Sequence, residues 1–335
     1  MENKTEGLIT FCVKGFPGTN RSLINLEKTT GLTRHFVLSG SKPVDTDVKF
    51  FIDYIKRKRP RVVLFGGWSQ VYQFFLKELK NTKIEFGIYW TSSPGQTDIS
   101  DEIGSLGNLI NSSEIKYKLF ANKDPASSLS GRLNNVNFLP DTVIFPEELQ
   151  NNLRNRKKRA IVISLFCSPF EYKRKNILNS LLAVSMLKDR YTLYLNGLSA
   201  NKSYKSMLEK LKILYRDFDW MSDEDYERVL WDVDLGLQVS FAETFNFVAA
   251  DHMARRIPVI TSRMVPVMDG MPQSITRRLI IEDPDSPFEI KDRIEYLIRN
   301  PRMLPEMGKT MYNYLGKENK KRVEIAKNVL RAFTE

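Results

Sequence analysis

Cysteine and histidine are nearly absent from this 335-residue chain, with two of each. Cys12 and Cys167 sit about 155 positions apart in apolar, strand-like runs. They read as buried thiols of a reducing compartment, not as a disulfide or a thiolate metal site. His35 and His252 are too few to build a histidine metal centre. The opening MENKTEGLIT lacks the basic-then-apolar order of a secretory signal. No run approaches the ~20 apolar residues of a membrane span. Negative charge is also in short supply, with 40 acidic against 51 basic residues and a formal net charge of +11. Basic runs occur at Lys56–Arg61, Arg154–Arg159, Lys173–Lys175 and Lys320–Arg322. None is interleaved with aromatics at regular spacing, which argues against a single-strand nucleic-acid platform. Two readings of the charge stand side by side: a polyanionic partner (anionic lipid, nucleic acid or acidic glycan), or a lysine-rich surface that only keeps the chain soluble.

A hydrophobic content of 42% with 27% charged residues describes a globular protein of one large or two ordinary domains. The first half predicts strands at Leu8–Lys14, His35–Gly40, Arg61–Phe65, Ile84–Tyr89, 117–122 and 136–143. Helical patterns fall between them at Ser22–Thr30, at Thr46–Arg57, and through Tyr72, Phe75, Leu76 and Leu79. Strand–helix alternation with glycines after the strands argues a parallel sheet wrapped by helices. Ligands bind outside the carboxyl ends of such strands, which makes Gly15–Arg21, Gly66–Ser69 and Trp90–Gly95 one rim. A polar, basic boundary at 146–159 precedes a second alternation: strand 160–167, helix 174–188, strand YTLYLNG, helix 203–215 and helix EDYERVLWDV. Pro301–Glu335 reads as helical throughout, with Val323, Ile325, Ala326, Val329, Leu330 and Phe333 on an apolar stripe.

Asp232–Ser262 carries the most chemistry. Leu235, Leu237 and Val239 alternate as a short buried strand. Ser240–Asn246 forms a loop without Gly or Pro, Phe247–Arg256 has helical spacing, and Pro258-Val259-Ile260 opens another strand. Glu243 falls at the loop-to-helix junction and Asp251 two turns into the helix, with seven residues between them. Free N–H groups at a helix N-terminus attract an anion, most often phosphate, and an acid at each end of such a cradle can accept hydrogen bonds from sugar hydroxyls.

The segment E-T-F-N-F-V-A-A-D-H-M-A-R-R-I-P-V-I resembles the Glu-x7-Glu mark of the retaining GT-B glycosyltransferases, E-G-F-G-L-x-x-x-E-A-M-A-x-G-x-P-V-I. It keeps Glu243, Phe245, an acid at 251, the Met253-Ala254 pair and Pro258-Val259-Ile260, and replaces the glycines flanking Phe245 by Thr244 and Asn246. The resemblance covers 117–315 well and the first hundred residues in general form. It implies an α/β GT-B fold of two Rossmann-like domains whose parallel sheets face across a cleft. The implied divisions are 1–150 (acceptor side), 151–315 (nucleotide sugar) and 316–335, a helix packing back on the first domain.

The activity implied is metal-independent, retaining transfer of a sugar from a UDP or GDP sugar, with no cofactor. Glu243 and Lys175 take the catalytic places, and Asp251 holds the ribose. Thr244, Phe245, Asn246 and Phe247 line the sugar and diphosphate. The family's Arg finds no counterpart in 164–172, so Lys173 or Arg174 is expected to replace it. Its His finds none in GIYWTSS. The acceptor side falls on Gly18, Thr19, Gly67, Trp68, Trp90, Thr91 and Ser92. His35 is expected beside a strand and His252 on a helix surface, both structural. Two alternatives stay open: a degenerate member that binds a sugar nucleotide or a partner subunit without transferring sugar, and a transferase acting on nucleic acid. The expected location is cytoplasmic, with Lys56–Arg61 able to hold the protein on the inner face of an anionic membrane.

Overall fold

The computed structural model describes residues 7–39, 46–92, 111–147, 160–167, 172–188 and 191–334, with 104, 107 and 149 besides. Contacts divide the chain into two compact units, Met1–Ile144 with Glu318–Glu335, and Phe145–Lys317. The basic run 154–159 and the rim positions Ser93, Pro94 and Gly95 lie outside the described residues.

The first unit is built on a parallel six-stranded sheet in the order β2-β1-β3-β4-β5-β6. Its strands are β1 (Leu8–Val13), β2 (Arg34–Leu38), β3 (Val62–Gly66), β4 (Glu85–Trp90), β5 (Ile115–Phe120) and β6 (Val136–Phe138). Connecting helices are α1 (Pro17–Thr30), α2 (Thr46–Lys58), α3 (Val71–Leu79) and α4 (Lys123–Ser130). Helix α1 starts five residues earlier than its apolar pattern, because Pro17 at N1 is preorganised for a first turn and Gly31 closes it at φ 66°. Both sheet faces are covered, so the strands are continuous apolar runs such as LITFCV with every residue buried. Ala326, Leu330 and Phe333, from the end of α11 (Leu304–Thr334), complete one of these two cores together with Leu8, Leu23 and Leu26.

The second unit repeats the scheme, with strand order β12-β11-β10-β7-β8-β9. Here β7 is Ile161–Leu165, β8 Tyr191–Asn196, β9 Tyr215–Phe218, β10 Leu235–Gln238, β11 Val259–Ser262 and β12 Ile280–Ile281. Its helices are α5 (Ile177–Ser185), α6 (Lys202–Lys210), α7 (Asp223–Leu230), α8 (Phe247–Ala254), α9 (Gln273–Leu279) and α10 (Pro287–Arg299), followed by the first half of α11. Two boundaries differ from the sequence reading for one reason, a left-handed residue. Asn176 at φ 53° delays α5 until Ile177, and Lys212 at φ 52° ends the helix read as 203–215, releasing β9. Among the described residues no helix is long and apolar enough to cross a membrane.

His252 corrects another expectation. It is fully buried, not on a helix surface. Its Nδ1 lies 2.6 Å from the Val248 carbonyl, and its Nε2 2.6 Å from Ser164 Oγ. A carbonyl only accepts, so Nδ1 carries the proton and Nε2 accepts from the serine hydroxyl. Gly236 makes the room: a Cβ there would stand 2.7 Å from the imidazole Cδ2. Burial is the main reason its pKa falls to about 4, with the Arg255 charge adding to the effect. His35 sits on β2 as expected, with Nδ1 2.9 Å from Thr10 Oγ1 and Nε2 3.2 Å from Asn20 Oδ1.

Candidate nucleotide-sugar site

Strand order locates the site of the second unit. The chain runs from β7 outward through β8 and β9, then returns to place β10 on the other side of β7. The loops leaving β7 and β10 therefore diverge, and open parallel sheets bind ligands in the crevice at such a point. Residues 172–176 lead into α5, and 239–246 lead into α8. The two segments are stitched together: Phe241 N–H donates to Arg174 O, and Arg174 Nη1 donates to Ala242 O, both at 2.8 Å.

Glu243 is the centre of what they assemble. Its Oε2 lies 2.9 Å from Arg174 Nη1, and its Oε1 2.5 Å from Lys175 Nζ. The carboxylate and the ammonium are both buried. Burial by itself would raise the Glu243 pKa, but Lys175 and Arg174 outweigh it and hold the carboxyl below its ordinary value. Arg174, sequence-adjacent to Lys175, thus brings a guanidinium to Glu243. Lys173 is exposed.

Asn246 caps the eight-residue α8 by accepting from Ala249 N–H at 2.9 Å. Thr244 and Phe245 before it are buried, and Phe245 stacks edge-on with Phe247 at 5.2 Å. The positions where the resembled pattern carries glycine after Phe245 and after Arg255 are Asn246, at φ 73°, and Arg256, at φ 58°. Both keep a backbone that glycine tolerates best.

Asp251 lies on α8, only 2% exposed. Its Oδ2 accepts from the Tyr226 hydroxyl at 3.2 Å, and its Oδ1 is 4.0 Å from Arg255 Nη1. Arg255 also pairs with Glu227 of α7, through Nε at 3.0 Å and through Nη2. The two acids of the motif therefore have different surroundings: Glu243 faces two cations, Asp251 a phenol and one cation already shared. Among the described residues no three or more His, Cys, Asp or Glu side chains gather as a metal site.

In the first unit the corresponding reversal lies between β1 and β3. Gly18, Thr19, Gly67 and Trp68 belong to the segments leaving those strands. Gly67 is at φ 66° and donates its N–H to Tyr89 O at 2.9 Å. Thr19 Oγ1 meets Thr91 Oγ1 at 2.5 Å, joining α1 to the end of β4. Thr91 and Ser92 are half-buried, whereas the Trp90 ring belongs to the core.

No protein-family model and no curated protein matches the sequence. Solved structures do match the fold. Sucrose-phosphate synthase from Thermosynechococcus elongatus superposes with a TM-score of 0.74 at 12% identity, over 97% of this chain and 98% of that one. HepE from Anabaena, in complex with UDP, gives 0.70 at 12% identity over the same shares. WaaG, a glycosyltransferase of lipopolysaccharide biosynthesis, gives 0.66 at 11%, covering 96% of this chain and 99% of its own. The chain has the GT-B fold. At such identities the likeness extends to the fold alone, and the site rests on this chain's own residues.

Proposed function

We propose that this protein is a retaining glycosyltransferase whose donor is a nucleoside-diphosphate sugar. The observation that carries the reading is the Arg174–Lys175–Glu243 cluster at the reversal of the second sheet, beside the N-termini of α5 and α8. A buried ammonium and a half-buried guanidinium next to two helix N-termini suit a diphosphate. Arg174 and Lys175, not a divalent cation, supply the charge that stabilises the departing nucleoside diphosphate as its bond to the sugar breaks. The acceptor hydroxyl attacks from the face the diphosphate leaves, and a phosphate oxygen takes its proton. Glu243 lies beside the sugar once the donor is bound. Asp251 receives the ribose hydroxyls, with the Tyr226 hydroxyl giving up its present bond. The acceptor approaches the rim of Gly18, Thr19, Gly67, Trp68, Thr91 and Ser92. HepE, similar in fold, has been crystallised with UDP and with UDP-glucose, which makes UDP the first nucleotide to try.

The working place we propose is the cytoplasmic face of an anionic membrane. In support, α2 exposes Phe50 (58% accessible) beside Tyr54, whose ring lies 5.9 Å from both Arg57 and Lys58. Aromatic and basic side chains on one helix suit a lipid headgroup region.

The deciding experiment is thermal unfolding with UDP and with GDP, followed by hydrolysis of UDP-glucose in the absence of acceptor. One nucleoside diphosphate should raise the melting temperature in proportion to the logarithm of its concentration. Failure of every nucleoside diphosphate to do so refutes the reading.

A further inference from the structure

Asn246 stands where the backbone suits few side chains. At φ 73° and ψ 82° glycine is the usual occupant, and Asn is among the few alternatives that tolerate the left-handed region. Its side chain is 5% exposed and fully engaged. Oδ1 caps α8, while Nδ2 lies 3.2 Å from Glu243 Oε1 and 3.4 Å from Gln238 Oε1. Gln238 is itself fixed, its Nε2 donating to Phe166 O at 2.9 Å. A glycine would meet the backbone requirement and make none of the side-chain contacts.

We propose that Asn246 is a positioning residue that holds Glu243 on Arg174 and Lys175, so that the carboxylate occupies the two cations while no ligand is bound. The proposal rests on the reading of this cluster as the diphosphate site. Lys175 and Asn246 both donate to Oε1, and Arg174 lies against Oε2. The carboxylate and an incoming diphosphate therefore compete for the same N–H groups. A rigidly held Glu243 makes the empty site a weaker anion trap than its two cations alone would be. Release of the carboxylate toward the sugar accompanies entry of the donor. The effect of Asn246 on anion affinity thus passes through Glu243. A cap that merely stabilised α8 would act independently of that acid.

A double-mutant cycle separates the two. Calorimetry would measure binding of UDP and of inorganic pyrophosphate to wild type, Asn246→Gly, Glu243→Gln and the double variant. Glu243→Gln should tighten both ligands by about tenfold, the order expected for hydrogen bonds to a charged group, and Asn246→Gly by a smaller factor of about threefold, because it loosens the carboxylate without removing it. In the Glu243→Gln background, Asn246→Gly should change nothing. The same factor in both backgrounds, or no change in either, overturns the proposal. Asn246→Asp gives a second readout should the glycine variant not fold. It keeps the left-handed tolerance and the cap but replaces the amide donor to Glu243 by a carboxylate, so its effect on both ligands should differ between the wild-type and Glu243→Gln backgrounds; the same factor in both also overturns the idea. If wild type binds neither UDP nor pyrophosphate, the proposal and the diphosphate reading fall together. If it binds while the cycle is additive, only the proposal falls.

Discussion

Acidification should destabilise the second unit through His252, an effect whose sign and size follow from the burial of the ring. The folded state holds the neutral imidazole, with Nδ1–H donating to Val248 O and Nε2 accepting from Ser164. Its pKa is lowered from the ordinary 6.5 to about 4. The unfolded chain therefore binds a proton first. Above pH 6.5 both states are neutral and stability is at its full value; as pH falls toward 4 the unfolded state gains protons that the folded state refuses. The whole difference is roughly 3 kcal/mol, of which about 2 kcal/mol is lost by pH 5. Charges facing the ring include Arg255, which adds to the same direction. His35, with a pKa also lowered to about 4 by burial, contributes to the first unit with the same sign. Urea unfolding at pH 7.5 and pH 5 measures the loss. His252→Asn should lower stability at pH 7.5, yet show a pH dependence smaller by about 2 kcal/mol than wild type. Equal losses in the two proteins would refute the assignment of a buried neutral imidazole.

Other expectations are independent of that one. Lys175→Ala should cost UDP at least about tenfold in affinity and spare uridine, because the lost hydrogen bond is to a charged group; equal losses for both ligands would move the diphosphate elsewhere. Gly308→Ala should destabilise the protein by several kcal/mol or prevent folding, since a Cβ there would overlap the carbonyl of Arg256, whereas Gly316→Ala, with Phe145 at an ordinary 3.9 Å, should be tolerated; circular dichroism melts distinguish them. Flotation with anionic vesicles should recover the protein at low salt, and release it by about 0.5 M salt, where charges are screened within a few ångström. Flotation with neutral vesicles only, or with neither kind, would remove the basic face of α2 from the account.

The alternation of strands and helices was legible because each buried strand is a continuous apolar run and each helix keeps one apolar face. Boundaries were less so. Lys212 carries no breaker signature and Asn176 only the weak one of a residue that tolerates the left-handed region, and their conformations appear only when the chain is folded. Glu243 and Lys175 stood out in the sequence, but that Arg174 and not Lys173 lies against Glu243 needed geometry, since adjacent residues point in different directions where a turn precedes a helix. His252 was misplaced for a related reason. Its helix is buried nearly all round, so apolar periodicity could not say which face was wet. The partners that accept the ring, Ser164 and Gly236, lie 88 and 16 positions away in the sequence.

The discontinuity of the first unit has a consequence for biosynthesis. Ala326, Leu330 and Phe333 close a core whose other members, among them Leu8, Leu23 and Leu26, leave the ribosome first. At about 5–20 residues per second, translation of the intervening unit takes on the order of ten to thirty seconds. During that interval the nascent sheet has one apolar face without its final cover, while Phe145–Lys317 acquires all of its strands. The half of the protein made first is thus the half that finishes last, and for that interval its uncovered sheet face is the surface a chaperone would meet.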